Sequence, residues 1–106
     1  MIELMIDPGH GGIDKGGGTN DTFIEKDINL KISLYQYLRT KELGIESLMT
    51  RYKDITLNND KRAKKVVDSN AKYCFSNHIN WVEDKDVEGC LVIHSIYQDG
   101  KFANKI

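Results

Sequence analysis

At 106 residues the chain has room for one small domain with a modest core, and it is short for a complete α/β enzyme. Its 15 basic and 16 acidic residues are intermixed and leave a net charge of −1, so there is no electrostatic case for nucleic acid or an anionic membrane as partner. No apolar stretch approaches the roughly 20 residues a transmembrane helix needs, and the N-terminus lacks the basic, apolar and small-residue order of a secretory signal.

In chain order, Ile2 to Ile6 reads as a first strand, apolar apart from Glu3, as expected of a strand covered on both faces. Gly9 to Asn20 is a glycine-rich loop without periodicity. A helix is expected from Glu25 to Lys41, with Ile28, Ile32 and Tyr35 at helical spacing and Leu30, Leu34 and Leu38 widening the apolar face. Gly44 is its stop signal. Ile45 to Thr50 reads as a second strand and Asn59 to Asp68 as a second helix, with Ala63, Val66 and Val67 on one side. Lys72 to Ser76 is the third strand and Gly89 to Tyr97 the fourth, and Lys101 to Ile106 reads as a helix beginning. Alternation of strand and helix predicts an α/β fold, a mostly parallel sheet with helices on both faces, incomplete at its C-terminal side. Cys74 and Cys90 lie inside apolar runs without C-x-x-C spacing, which predicts buried free thiols.

Two segments carry the chemistry. Asp7-Pro8-Gly9-His10-Gly11-Gly12 follows the first strand, and Ser76-Asn77-His78-Ile79-Asn80 leaves the third. Both histidines therefore stand at the carboxyl ends of parallel strands, the edge where open α/β sheets bind ligands. Glycines around His10 let the backbone turn sharply and leave the imidazole unobstructed. Glu25 opens the first helix; a carboxylate there stabilises the helix dipole, but it also stands on the same edge as both histidines. Two imidazoles and one carboxylate, with a fourth position open, are the ligands of a hydrolytic zinc centre. Such an ion suits amide hydrolysis by acidifying a water and polarising a carbonyl. His94, inside Leu91-Val92-Ile93-His94-Ser95-Ile96-Tyr97, reads as a structural histidine within a strand.

With Thr50-Arg51, Arg62 and Glu25-Lys26-Asp27-Ile28-Asn29-Leu30 added, these motifs resemble in order and spacing the zinc-dependent N-acetylmuramoyl-L-alanine amidases of the Amidase_3 type, found as bacterial autolysins and phage endolysins. The resemblance implies one Zn2+ per chain on His10, Glu25 and His78, with Ser76 and Asn80 shaping the site and Arg51 in a structural role. It implies peptidoglycan as substrate, with cleavage of the amide between N-acetylmuramic acid and L-alanine at the cell wall. Delivery there would need phage-type release or a leader removed from this sequence.

Three departures qualify it. Val66-Val67 stands where Ala-Asn is usual, and Leu91 where an acidic residue is frequent. The family domain also continues through a further helix and a last strand whose glutamate is the catalytic base. Residues 1–106 are thus expected to be the N-terminal part of a single catalytic domain, without that base. The alternative is a non-catalytic module that binds zinc or peptidoglycan. An unfinished sheet edge further predicts self-association.

Overall fold

The computed structural model describes every residue from Met1 to Ile106. Three parallel strands, β1 (Leu4–Pro8), β2 (Ser47–Met49) and β3 (Tyr73–Asn77), form one sheet in the order β2-β1-β3. Leu4 pairs with Ser47 on one side and Tyr73 on the other, and Pro8 reaches Asn77. The most apolar run of the sequence is thus the central strand, and Met5, Ile6 and Met49 are the buried apolar residues of the core. The expected α/β fold is present. No helix is long and apolar enough to cross a membrane.

Helix α1 (Glu25–Glu42) packs across all three strands. Its N-terminus has no side-chain cap from Ile24. The glycine-rich loop does that work instead: Thr19 Oγ1 accepts from the Glu25 N–H at 3.0 Å and the Lys15 carbonyl from the Lys26 N–H at 3.1 Å. Gly44, at φ 71°, closes the other end.

The face that α1 turns to the sheet differs from the expected one. The residues it buries are Glu25, Asn29, Ser33 and Thr40, while Ile32, Tyr35 and Leu38 are exposed. The cause lies in the strand ends, whose polar groups need partners. Asn77 Nδ2 donates to Ser33 Oγ at 2.8 Å and to Gln36 Oε1 at 2.7 Å, and Thr40 and Ser47 share a hydroxyl hydrogen bond of 2.5 Å.

Helix α2 (Asn59–Ser69) is capped by Asn58, whose side chain accepts from the Lys61 N–H at 2.9 Å, and ends on Asn70 in the left-handed region. It serves the opposite face of the sheet: the alternation that points Leu4 and Phe75 toward α1 points Asp7 toward Arg62 of α2. It buries none of its residues, and Val67 stays exposed.

The fourth strand does not form. Gly89 to Tyr97 is irregular, with Leu91, Ile93, Ile96 and Tyr97 exposed. An apolar run becomes a buried strand only when a neighbour takes its hydrogen bonds and layers cover its faces, and neither is supplied here. The expected last helix shrinks to a 3-10 turn, Ala103–Lys105, anchored where Phe102 stacks on Tyr73 with ring centroids 4.4 Å apart. Cys74 and Cys90 are free thiols as expected but exposed rather than buried. Cys74 shares the sheet face of Asp7, which α2 leaves largely uncovered at β3.

Candidate metal centre

At the carboxyl end of β1 the chain turns through Gly9, His10, Gly11 and Gly12. His10 itself lies at φ 61°, followed by Gly11 at 137° and Gly12 at 59°. A left-handed residue with a side chain costs about 1–2 kcal/mol, so the surroundings must hold this turn. Three side chains do so through its carbonyls. Arg51 donates from Nε to Pro8 O at 3.1 Å and from Nη2 to Gly9 O at 2.9 Å. Arg62 donates to Pro8 O at 2.9 Å and to His10 O at 3.0 Å. Asn29 adds a bond to Gly9 O at 3.2 Å.

Asp7 supplies the negative charge beneath this arrangement. Its carboxylate takes Arg62 Nη1 at 2.6 Å, the Thr50 hydroxyl at 2.5 Å and the Ser76 hydroxyl at 2.7 Å. Burial opposes its ionisation, but the bonds from Thr50, Ser76 and Arg62 outweigh burial and hold its carboxyl below the usual value.

On the ring of His10, Nδ1 lies 2.8 Å from Asp14 Oδ2. That hydrogen bond is the main reason the Asp14 carboxyl is held below its usual value. An ionised Asp14 accepts, so Nδ1 carries a proton and Nε2 is the nitrogen that faces Glu25 and His78.

Glu25, 1 % exposed, is the buried carboxylate of the group. Its Oε2 accepts the Gly18 N–H at 2.7 Å, and its Oε1 accepts the Ile79 N–H at 3.0 Å. Burial works against its charge, yet the backbone N–H groups of Gly18 and Ile79, aided by His10 and Asn29, hold its carboxyl below the usual value. Gly18 must be glycine for this contact, since a Cβ there would lie 2.7 Å from Ile79 O and 3.0 Å from Oε2.

His78 is the first residue after β3, and Gly9 makes room for its ring: a Cβ on Gly9 would stand 2.6 Å from Nδ1. The three sequence-predicted ligands thus converge, the group with metal-binding atoms together in this fold. Glu25 Oε1 lies 3.1 Å from His10 Nε2 and 3.5 Å from His78 Nδ1, and the two nitrogens are 3.2 Å apart. A tetrahedral zinc with bonds of about 2.0–2.1 Å has donor–donor edges of about 3.3 Å, so these side chains fit that ion.

The other predicted residues make no hydrogen bond to the three donors. Ser76 donates to Asp7, the carboxylate that also holds Arg62, while Asn80 accepts its neighbour Trp81 N–H at 3.0 Å. His94, expected within a strand, is exposed in irregular chain and donates to Ser95 O at 2.8 Å. Arg51 has the structural role expected of it. Roles that sequence reading left unassigned are those of Asp14, Asn29 and Arg62. The first two had signals: an acidic residue four after a histidine in a glycine loop, and an amide one helical turn beyond Glu25.

Comparison with known proteins identifies the family to which this fold belongs. Residues 4–106 match the family Amidase_3, N-acetylmuramoyl-L-alanine amidase. The chain is 39% identical over 77 residues to the uncharacterized protein YqiI of Bacillus subtilis, covering 73% of this chain and 37% of that protein. It is 32% identical over 82 residues to N-acetylmuramoyl-L-alanine amidase CwlM of Bacillus licheniformis, covering 76% and 32%. Among solved structures, the catalytic domain of the amidase CwlV from Bacillus (Paenibacillus) polymyxa superposes with a TM-score of 0.75 at 28% identity, over 82% of this chain and 50% of that one. The chain therefore spans about a third of the length of these curated relatives and half of that solved domain. On the match of nearly its whole length, the chain belongs to the Amidase_3 family of N-acetylmuramoyl-L-alanine amidases.

Proposed function

We propose that His10, Glu25 and His78 hold one Zn2+ and that this stretch is the metal-holding part of a peptidoglycan amidase, which cleaves the bond between N-acetylmuramic acid and L-alanine in the cell wall. The observation that carries the reading is the convergence of two imidazole nitrogens and one buried carboxylate oxygen at 3.1–3.5 Å. When bound, the ion polarises an amide carbonyl and acidifies a water near neutral pH. The protein's own groups do the rest. Asp14 keeps the His10 proton on Nδ1, and Gly18 and Ile79 keep Glu25 ionised with Oε1 aimed at the histidines.

Amide hydrolysis also needs a base that hands a proton to the leaving amine. No carboxylate is free beside the three donors: Asp14 is bonded to His10, and Glu25 is itself a donor. We assign the proton transfer to a carboxylate beyond the stretch shared with these relatives, in keeping with the family's last-strand glutamate. The same observation favours a second reading for these residues taken alone, a module that binds zinc or wall fragments without cutting them.

One experiment separates the two. Zinc-loaded chain is incubated with purified peptidoglycan, and new amino termini and retention on the insoluble wall are measured with and without chelator. Slow, zinc-dependent appearance of L-alanine termini supports the amidase. Zinc-dependent retention without new termini supports the binding module, and absence of both contradicts the assignment to peptidoglycan.

A further inference from the structure

We propose that Arg51 and Arg62 are positioning residues for the metal ligand His10, holding the left-handed turn that aims Nε2 at Glu25 and His78. The inference rests on the zinc reading above and concerns what sets the affinity of that site.

Both side chains aim their guanidinium forks at backbone, and their targets cluster. Pro8 O receives Arg51 Nε and Arg62 Nη1, Gly9 O receives Arg51 Nη2, and His10 O receives Arg62 Nη2. Every carbonyl of the turn leading into the ligand is therefore fixed by an arginine. The remaining donors tie that turn to other elements. Arg51 Nη2 also bonds Lys26 O at 3.0 Å, so one nitrogen bridges the residue before His10 and the residue after Glu25. That bridge sets the spacing of two ligands. Arg51 Nη1 reaches Lys53 O at 3.2 Å, and Arg62 Nη2 reaches Leu57 O at 3.1 Å, which anchors the turn to the chain between β2 and α2. Gly11 accommodates the first arginine: a Cβ there would lie 2.9 Å from Arg51 Nε.

Electrostatics argues that this role is geometric. Arg51 is 1 % exposed and hydrogen-bonds no carboxylate, so it is a buried cation close to a site meant for another cation. Its charge alone would weaken metal binding. What it contributes is a planar fork able to reach four carbonyls at once, which the single ammonium of lysine cannot reproduce.

The test is Arg51→Lys, with Arg62→Lys as a second variant that keeps a cation beside Asp7. Zn2+ affinity is measured by competition with a chromophoric chelator, and ligand geometry by the visible absorption of the Co2+-loaded protein. Thr40→Val, which breaks the remote hydroxyl pair with Ser47, is the control for lost stability without lost positioning. We expect either lysine variant to fold and to bind Zn2+ about 10–100-fold more weakly with an altered Co2+ spectrum, while Thr40→Val retains wild-type affinity and spectrum. Wild-type affinity and spectrum in both lysine variants would overturn the inference. So would a Thr40→Val protein that loses affinity as much as they do, since the effect would then follow stability alone. Failure of the wild-type chain to bind Zn2+ would instead overturn the metal reading.

Discussion

The two histidine-bearing turns differ in how firmly they are held. The His10 side chain is 23% exposed, its ring is bonded to Asp14, and its backbone is gripped by Arg51, Arg62 and Asn29. The His78 side chain is 51% exposed, and its ring has polar contacts only with His10 and Glu25. Backbone ties from Gly9 N–H to Asn77 O and from Ile79 N–H to Glu25 Oε1 place the His78 segment, but nothing orients the imidazole from behind. One ligand is fixed before any ion arrives and the other is free to adjust.

The comparison breaks most severely at Asp7. Asp7→Asn removes the buried anion that balances Arg62, and stability should fall by about 3 kcal/mol, measured by urea denaturation. The pH dependence has a definite sign. The folded Asp7 pKa is depressed, so its contribution is fully present above the unfolded value of 3.8 and is lost as the pH falls through the lower folded value. The Asn variant should lack that acid-side loss.

On the His78 side, Gly9→Ala places a Cβ against the imidazole. Zinc affinity should drop by about 10–100-fold through ring displacement, with the change visible in the Co2+ spectrum. Asp14→Asn tests the other ring. It removes the carboxylate that fixes the His10 tautomer, and a loss of about 10-fold in affinity is expected with little change in stability. At the small end, Lys64→Ala breaks an exposed ion pair with Asp68 on α2 and should move stability by under about 0.5 kcal/mol and zinc affinity not at all.

Much of this was legible in the sequence because it was written as pattern. The apolar run before Asp7 marked the central strand, and histidines just past two strand ends, with a glutamate opening a helix, marked one edge. Helix α1 kept its limits but not its orientation. Ile32 and Leu38 followed an apolar period, yet the polar ends of the strands drew Asn29, Ser33 and Thr40 inward. Residues Leu91 to Tyr97 had the composition of a strand and no partner, and composition alone does not bury a segment. The arginine clamp was invisible for another reason: it joins positions 42 and 52 residues apart by bonds to carbonyls, and carbonyls leave no trace in a sequence.

The most direct test of the central claim is zinc stoichiometry by elemental analysis on the purified chain, together with His10→Ala, Glu25→Gln and His78→Ala. The account predicts about one zinc per wild-type chain, with stoichiometric metal lost in His10→Ala and Glu25→Gln and at most weak, easily stripped metal in His78→Ala. Full zinc retention in His10→Ala and His78→Ala would contradict it.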